Sequence, residues 1–184
     1  MRTGYIDLNK TKKSTIVLRK PGKYVAFMEN VSGNFTFELR SADIDLSIYG
    51  VFHGTGTDTY RVHTVQHHFA PRSTSNLLIR GVFDDASQFH YTGLVKLEKK
   101  AQQSHAYQKN QNLVLSSQAK VESEPFLEIE ANDVFCTHGS TTGGINPDEL
   151  YYLMSRGLTG TETKKLIVQG FLDHVRMQVR PRQD

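Results

Sequence analysis

Apolar and polar positions alternate with a period of two through most of the first 140 residues. Phe35, Phe37 and Leu39 interleave with Thr36, Glu38 and Arg40, and Ile44, Leu46 and Ile48 with Asp45, Ser47 and Tyr49. Leu127, Ile129 and Ala131 interleave with Glu128 and Glu130 in the same way. Side chains at i and i+2 of a strand share a face, so this pattern predicts half-buried β-strands. Further strands are expected at 14–19, 24–28, 60–66, 76–83, 88–97, 112–117 and 133–138. Between them lie turn-rich pieces such as Lys20-Pro-Gly-Lys, Val31-Ser-Gly-Asn, Gly54-Thr-Gly-Thr-Asp and Asp84-Asp-Ala-Ser. No helix-period segment interrupts the region, so its architecture is all-β.

Both a sandwich and a β-helix fit that pattern, and three features lean towards the β-helix. Asn-Leu-Leu-Ile at 76–79 and Asn-Leu-Val-Leu at 112–115 read as equivalent rungs. The Asn-Gly and Asp-Gly turns of tight hairpins are missing. Polar stretches such as Lys99-Lys-Ala-Gln-Gln-Ser-His suit corners between stacked coils. The internal repeat has no fixed period, and the residues alone leave the choice open.

The pattern changes at Asn146, dividing the chain into a β region over 14–145 and a helical segment over 146–176. Asn146 is an N-cap, Pro147 suits the first helical position, and Asp148 and Glu149 complement the positive end of the helix dipole. Leu150, Tyr151, Leu153 and Met154 form an apolar face, and Gly157 ends the helix. Thr159 and Glu162 make a capping box for a second helix carrying Leu166, Ile167, Phe171, Leu172 and Val175. A helical hairpin with a frayed polar end is expected.

Composition narrows the class. The 184 residues, 38% hydrophobic and 22% charged, suit one soluble globular domain. No apolar run approaches the roughly 18 residues that span a bilayer, and the first ten residues lack the apolar core of a secretory signal. A single cysteine cannot form an intramolecular disulfide, which fits a reducing compartment and makes the cytoplasm the expected location. The net charge is +3, with basic residues at Lys10, Lys12, Lys13, Arg19 and Lys20 and at Arg176, Arg180 and Arg182. These form no dense stripe or recognisable nucleic-acid module, so solvated faces are the simpler reading.

The sharpest candidate pair is Cys136 and His138. Thiolate and imidazole are both metal ligands, and at i and i+2 of a strand they project from one face. A lone Cys-x-His lacks the second pair of a zinc site, and a strand cysteine is often simply buried. His63, His67 and His68 form a second cluster, with His53 and His90 as possible neighbours. His63 and His67 would share a face flanking Val65, which leaves a small histidine-ligated metalloenzyme as an alternative to sheet histidines held by hydrogen bonds. No strand–GxxxxGK[ST]–helix pattern exists to cradle nucleotide phosphates, and no Ser-His-Asp signature stands in a supporting context.

From about His67 to Val175 the sequence resembles the SufB/SufD family, the scaffold subunits of SUF iron–sulfur cluster assembly. The pieces that carry the resemblance are His67-His-Phe-Ala-Pro-Arg-Ser-Thr-Ser, Leu78-Ile-Arg-Gly-Val, Tyr91-Thr-Gly-Leu-Val-Lys-Leu and Gln111-Asn-Leu-Val-Leu-Ser. Pro125-Phe-Leu-Glu-Ile-Glu-Ala-Asn-Asp-Val-Phe-Cys-Thr-His-Gly and Asp148-Glu-Leu-Tyr-Tyr-Leu-Met-Ser-Arg-Gly-Leu complete the set. The resemblance implies a right-handed β-helix followed by helices. It implies pairing with a SufB-like or identical chain through the β-helix, and docking of a SufC-like ABC-type ATPase on 146–176. Leu150, Tyr151, Leu153, Met154, Arg156 and Phe171 are the docking candidates.

Within the same resemblance, His138 matches the family's ligand histidine and Cys136 its neighbour, so a transient iron–sulfur cluster is the implied cargo. The chain itself would be non-catalytic and bind no nucleotide. Two departures stand out. SufB-type members carry a cysteine in a turn where this chain reads Gln108-Lys-Asn-Gln, which makes it SufD-like. The chain is also shorter than typical members, with residues 1–66 matching only generically, as in a minimal β-helix or a trimmed paralogue that no longer builds clusters, an interaction subunit that has lost cluster binding. Clusters normally take four protein ligands, mostly thiolates, so a chain with one cysteine would have to share the cargo with a second chain or with other ligands.

Overall fold

A computed structural model describes residues 3–11 and 13–179. All the strands pair in parallel, and successive strands alternate between two sheets. One sheet, A, runs in the order β1 (Thr3–Asp7), β3 (Gly22–Glu29), β5 (Ile44–Gly54), β7 (Thr74–Phe83), β9 (His105–Val114) and β11 (Phe135–Gly143). The other, B, contains β2 (Thr15–Leu18), β4 (Gly33–Leu39), β6 (Thr59–His68), β8 (Gln88–Leu97) and β10 (Lys120–Ile129). This is a parallel β-solenoid, followed by α1 (Pro147–Ser155) and α2 (Gly160–Val179). The expected mainly-β coil with a C-terminal pair of helices is what forms.

The coils widen along the chain. Thr15 stacks beside Thr36, an offset of 21 residues, whereas Gly33 stacks beside Val62 at 29 and Thr74 beside His105 at 31. That widening is why no constant period is visible in the sequence. It also corrects one equivalence: 76–79 and 112–115 lie on neighbouring strands, but Asn76 sits beside Tyr107 and Asn112 beside Gly81. The Gln108-Lys-Asn-Gln segment belongs to the interior of β9 rather than to a turn.

Corners are sharp because single residues adopt left-handed backbone. Asp43, Arg72 and Gln103 (φ +59°, +54° and +59°) lead into β5, β7 and β9. Bulky residues rarely accept this conformation. Here stacking supports it: the Arg72 guanidinium donates through Nε and Nη2 to both Asp43 carboxylate oxygens, at 3.0 and 3.1 Å.

The narrow coils hold an apolar core that includes Leu8, Leu18, Phe37, Leu39, Leu46, Ile48 and Phe52. In the wider coils polar side chains enter the lumen, among them Gln66, His68, Ser75, Gln108, Asn110 and Asn112, all at most 3% exposed. The helices begin where expected. Asn146 Oδ1 accepts from the Asp148 N–H at 2.9 Å, and the Thr159 and Glu162 side chains each accept from the other residue's backbone N–H. Gly157, at φ +98°, turns the chain between them.

α2 lies on the outer face of sheet A, where Leu172 and Val175 bury against Val51 and Val82. It stays helical to Val179, past the expected fraying point. Residues 180–184, with Arg180 and Arg182, lie outside the described residues, as does Lys12. Among the described residues no helix is long and apolar enough to cross a membrane.

Candidate functional site

Among the described residues β11 is the last strand of sheet A and pairs only with β9, which leaves its far edge open. Cys136 stacks beside Ala106 and His138 beside Gln108, both of them buried lumen residues. Parallel neighbours in register share a face. Cys136 and His138 therefore occupy the lumen face together, as their spacing requires. The stacking ends there, and His138 is exposed at the mouth of the solenoid.

Cys136 is half-buried against the cluster of Val95, Leu97, Ala101 and Ala106. Burial pushes its thiol pKa up, against a smaller lowering by a backbone hydrogen bond from Ala106. The protonated thiol is favoured, which is the wrong state for a metal ligand. His138 is the more accessible donor of the two. Among the described residues no three His, Cys, Asp or Glu side chains are grouped so as to hold a metal ion.

Behind the mouth the lumen is polar and only partly satisfied. Gln66 Nε2 donates to Ser75 Oγ at 2.7 Å, and Ser75 Oγ lies 2.7 Å from His68 Nε2. Because the serine oxygen already accepts from Gln66, its proton can go to Nε2, which leaves the His68 proton on Nδ1. Burial lowers the His68 pKa to about 4, so the ring is neutral. Gln108 Nε2 donates to the Gly93 carbonyl at 3.3 Å. Among the described residues Gln66 Oε1, His68 Nδ1, Gln108 Oε1 and Ser123 Oγ have no protein partner. None of the lumen amides was expected from the sequence. Their signal was a break in the alternation: Gln66, Gln108 and Asn110 stand at inward positions where apolar residues belong.

The three-histidine alternative is corrected by the strand geometry. His63 and His67 do share the outer face of sheet B with Val65 between them, but four residues of strand separate them by about 13 Å. His68 points the other way, into the lumen. His67 is engaged elsewhere: its Nε2 lies 2.7 Å from Glu98 Oε1, and its ring packs on Phe69 at 3.8 Å between centroids. His90 Nδ1 pairs with Glu122 at 2.8 Å. His53 is on sheet A, where its backbone N–H donates to Asn30 Oδ1. These five histidines do not converge.

α1 has no buried residue. Tyr151, Tyr152 and Met154 are 76%, 56% and 42% exposed, while Leu150 and Leu153 are half-covered. The exposed Arg156 rests its guanidinium 5.1 Å from the Tyr152 ring centre. Phe171, by contrast, faces the solenoid beneath the Arg80 guanidinium, 4.6 Å from its ring centre.

Residues 25–171 match the family model described as "SUF system FeS cluster assembly, SufBD core domain". The match reaches further towards the N-terminus than the motif resemblance that starts near His67. The chain is 34% identical over 123 residues to an iron–sulfur cluster assembly SufBD family protein of Synechocystis, covering 67% of this chain and 26% of that protein. It is 35% identical over 119 residues to the iron–sulfur cluster assembly protein SufD of Bacillus subtilis, covering 65% and 27%, and 32% identical over 97 residues to SufD of Escherichia coli, covering 53% and 23%. It therefore spans about a quarter of the length of these relatives. A parallel solenoid that carries its Cys-x-His pair on the last strand and is matched across its sequence by the SufBD core belongs to the SufBD family of SUF-type iron–sulfur cluster assembly proteins.

Proposed function

We propose that the protein is a non-catalytic, SufD-like scaffold subunit of cytoplasmic SUF-type cluster assembly. It presents His138 at the solenoid mouth to cluster cargo shared with a second chain, either SufB-like or identical. The observation that carries this reading is the placement of His138: exposed, on the last strand of sheet A, with Cys136 beside it on the same face and no three-residue ligand group among the described residues. Cluster would then form only where another subunit completes the coordination, and imidazole ligation would suit cargo that has to be released.

The rim around the mouth supports pairing. Phe126, Leu127, Ile129 and Phe135 are 51%, 36%, 42% and 63% exposed on β10 and β11, the edge strands at the C-terminal end of the solenoid. Apolar open edges invite another chain. The exposed aromatic side of α1, with Tyr151, Tyr152 and Met154, is the docking face for a SufC-like ABC-type ATPase, with Arg156 beside it. ATP hydrolysis belongs to that partner.

Reconstitution with the partner subunits, iron and a sulfide source tests the reading. His138→Ala should lower cluster yield severalfold while leaving the far-UV circular dichroism unchanged. Cluster yield equal to wild type would overturn the assignment of His138.

A further inference from the structure

We propose that the groove between α2 and the outer face of sheet A is a binding site for a small oxyanion of the phosphate type. Its floor is formed by β7 and β9 and its wall by the C-terminal half of α2. It encloses about 310 Å³, at the small end of ligand sites.

The central group is Arg80. Among the described arginines, Arg80 and Arg176 are the two withdrawn from solvent. Arg176 is matched by Glu29 and Asp173. Among the described residues Arg80 has no carboxylate partner. Its Nε donates to Gln111 Oε1 at 3.2 Å, its Nη1 donates to the Phe171 carbonyl at 3.0 Å, and Phe171 packs on its face. These contacts hold the guanidinium plane without neutralising it. Burial alone lowers its pKa, as expected for a charge removed from water without a counter-ion.

Two more basic groups reach the groove from separate elements, Lys109 on β9 and His174 on α2, and none of the ten lining residues is acidic. A second cation beside a half-buried guanidinium costs free energy that an anion between them would offset. The amides of Asn76, Gln111 and Gln178 add neutral donors around the same space. Two fixed cations on adjacent strands, Arg80 and Lys109, with the His174 imidazole on the facing helix as a further donor, suit a compact oxyanion with several acceptor oxygens better than a single carboxylate, which offers only two. The groove opens on the side of sheet A opposite the lumen, so this site is separate from the His138 mouth.

Titration of the ¹⁵N-labelled full chain with inorganic phosphate, at ionic strength held constant with sodium chloride, tests the site. Saturable shifts are expected in the amides of 76–80, 107–111 and 171–178. Lys109→Ala and His174→Ala should each weaken binding about tenfold, the loss of one hydrogen bond to a charged group. Arg80→Gln should abolish it. The first two side chains make no hydrogen bond or ion pair among the described residues, so they keep the test decisive even if Arg80→Gln loosens α2. Shifts that fail to saturate, that fall outside the groove, or that persist unchanged in Lys109→Ala and His174→Ala would overturn the proposal.

Discussion

Arg176 Nη2 on α2 lies 2.6 Å from Glu29 Oε1 at the end of β3, joining residues 147 positions apart. With Leu172 and Val175 buried against Val51 and Val82, this contact sets where the C-terminal helix crosses sheet A. Both partners are about one-third exposed, so the pair contributes modestly, roughly 0.5–1 kcal/mol. Arg176→Gln and Glu29→Gln, with the double variant, should close a urea-denaturation cycle with a coupling of that size that shrinks in high salt. Zero coupling in low salt would show that apolar burial alone seats the helix.

His68 should make the solenoid acid-sensitive. The ring is fully buried and neutral with a pKa of about 4, below the ordinary value of 6.5. An unfolded chain takes up this proton near pH 6.5, whereas the folded one resists until about pH 4. Stability is therefore undiminished above pH 6.5 and falls as the pH drops through that interval, by roughly 3 kcal/mol for a shift of this size. His68→Gln keeps an acceptor for Ser75 and removes the titration. The difference in denaturation midpoint between wild type and variant should change between pH 7 and pH 4.5, and a constant difference would refute the assignment.

Gly93 is required by its surroundings rather than by its backbone angles. A Cβ there would collide with Gln108 Nε2 and the Tyr91 hydroxyl, both held inside the lumen. Gly93→Ala should cost about 1–3 kcal/mol through overpacking. Gly139→Ala serves as the control, because a Cβ at that position meets nothing. Urea midpoints of the two variants give the comparison, and equal stability would mean that the lumen is looser than its packing implies.

The apolar rim makes a separable prediction about assembly. Phe126→Asp with Phe135→Asp should shift the protein, alone or mixed with a SufB-like partner, towards monomer in light scattering while the melting temperature stays within a few degrees of wild type. Unchanged association would place the partner surface elsewhere.

Much of this was legible from residue order. Phe35, Phe37 and Leu39 alternate because a two-sheet coil buries every second side chain, and Asn146, Pro147, Thr159 and Glu162 mark helix starts through local hydrogen bonds that need no tertiary context. Register was not legible. Asn76 and Asn112 head look-alike tetrapeptides, yet they lie five positions out of step, because corner length decides the stacking and polar corners carry little pattern. β9 was read as starting at 112 instead of 105, because Gln108 and Asn110 put amides where the alternation calls for apolar residues. Facing was the other loss. His67 and His68 are adjacent in sequence and lie on opposite surfaces of one sheet, so a cluster in the sequence became two unrelated environments. The place of Cys136 and His138 on one face of a strand was readable, but their position on the final rung was not.

The widening of the coils gives the molecule a direction. Rungs of a solenoid are stabilised chiefly by their immediate neighbours. The slender end, filled with Phe37, Leu46 and Ile48, is the tight end of a zipper, and the broad end, with its wet interior and bare last rung, is the end that frays. Loosening should travel inward from β11, so the strand that carries His138 is also the one whose order depends most on whatever binds beside it.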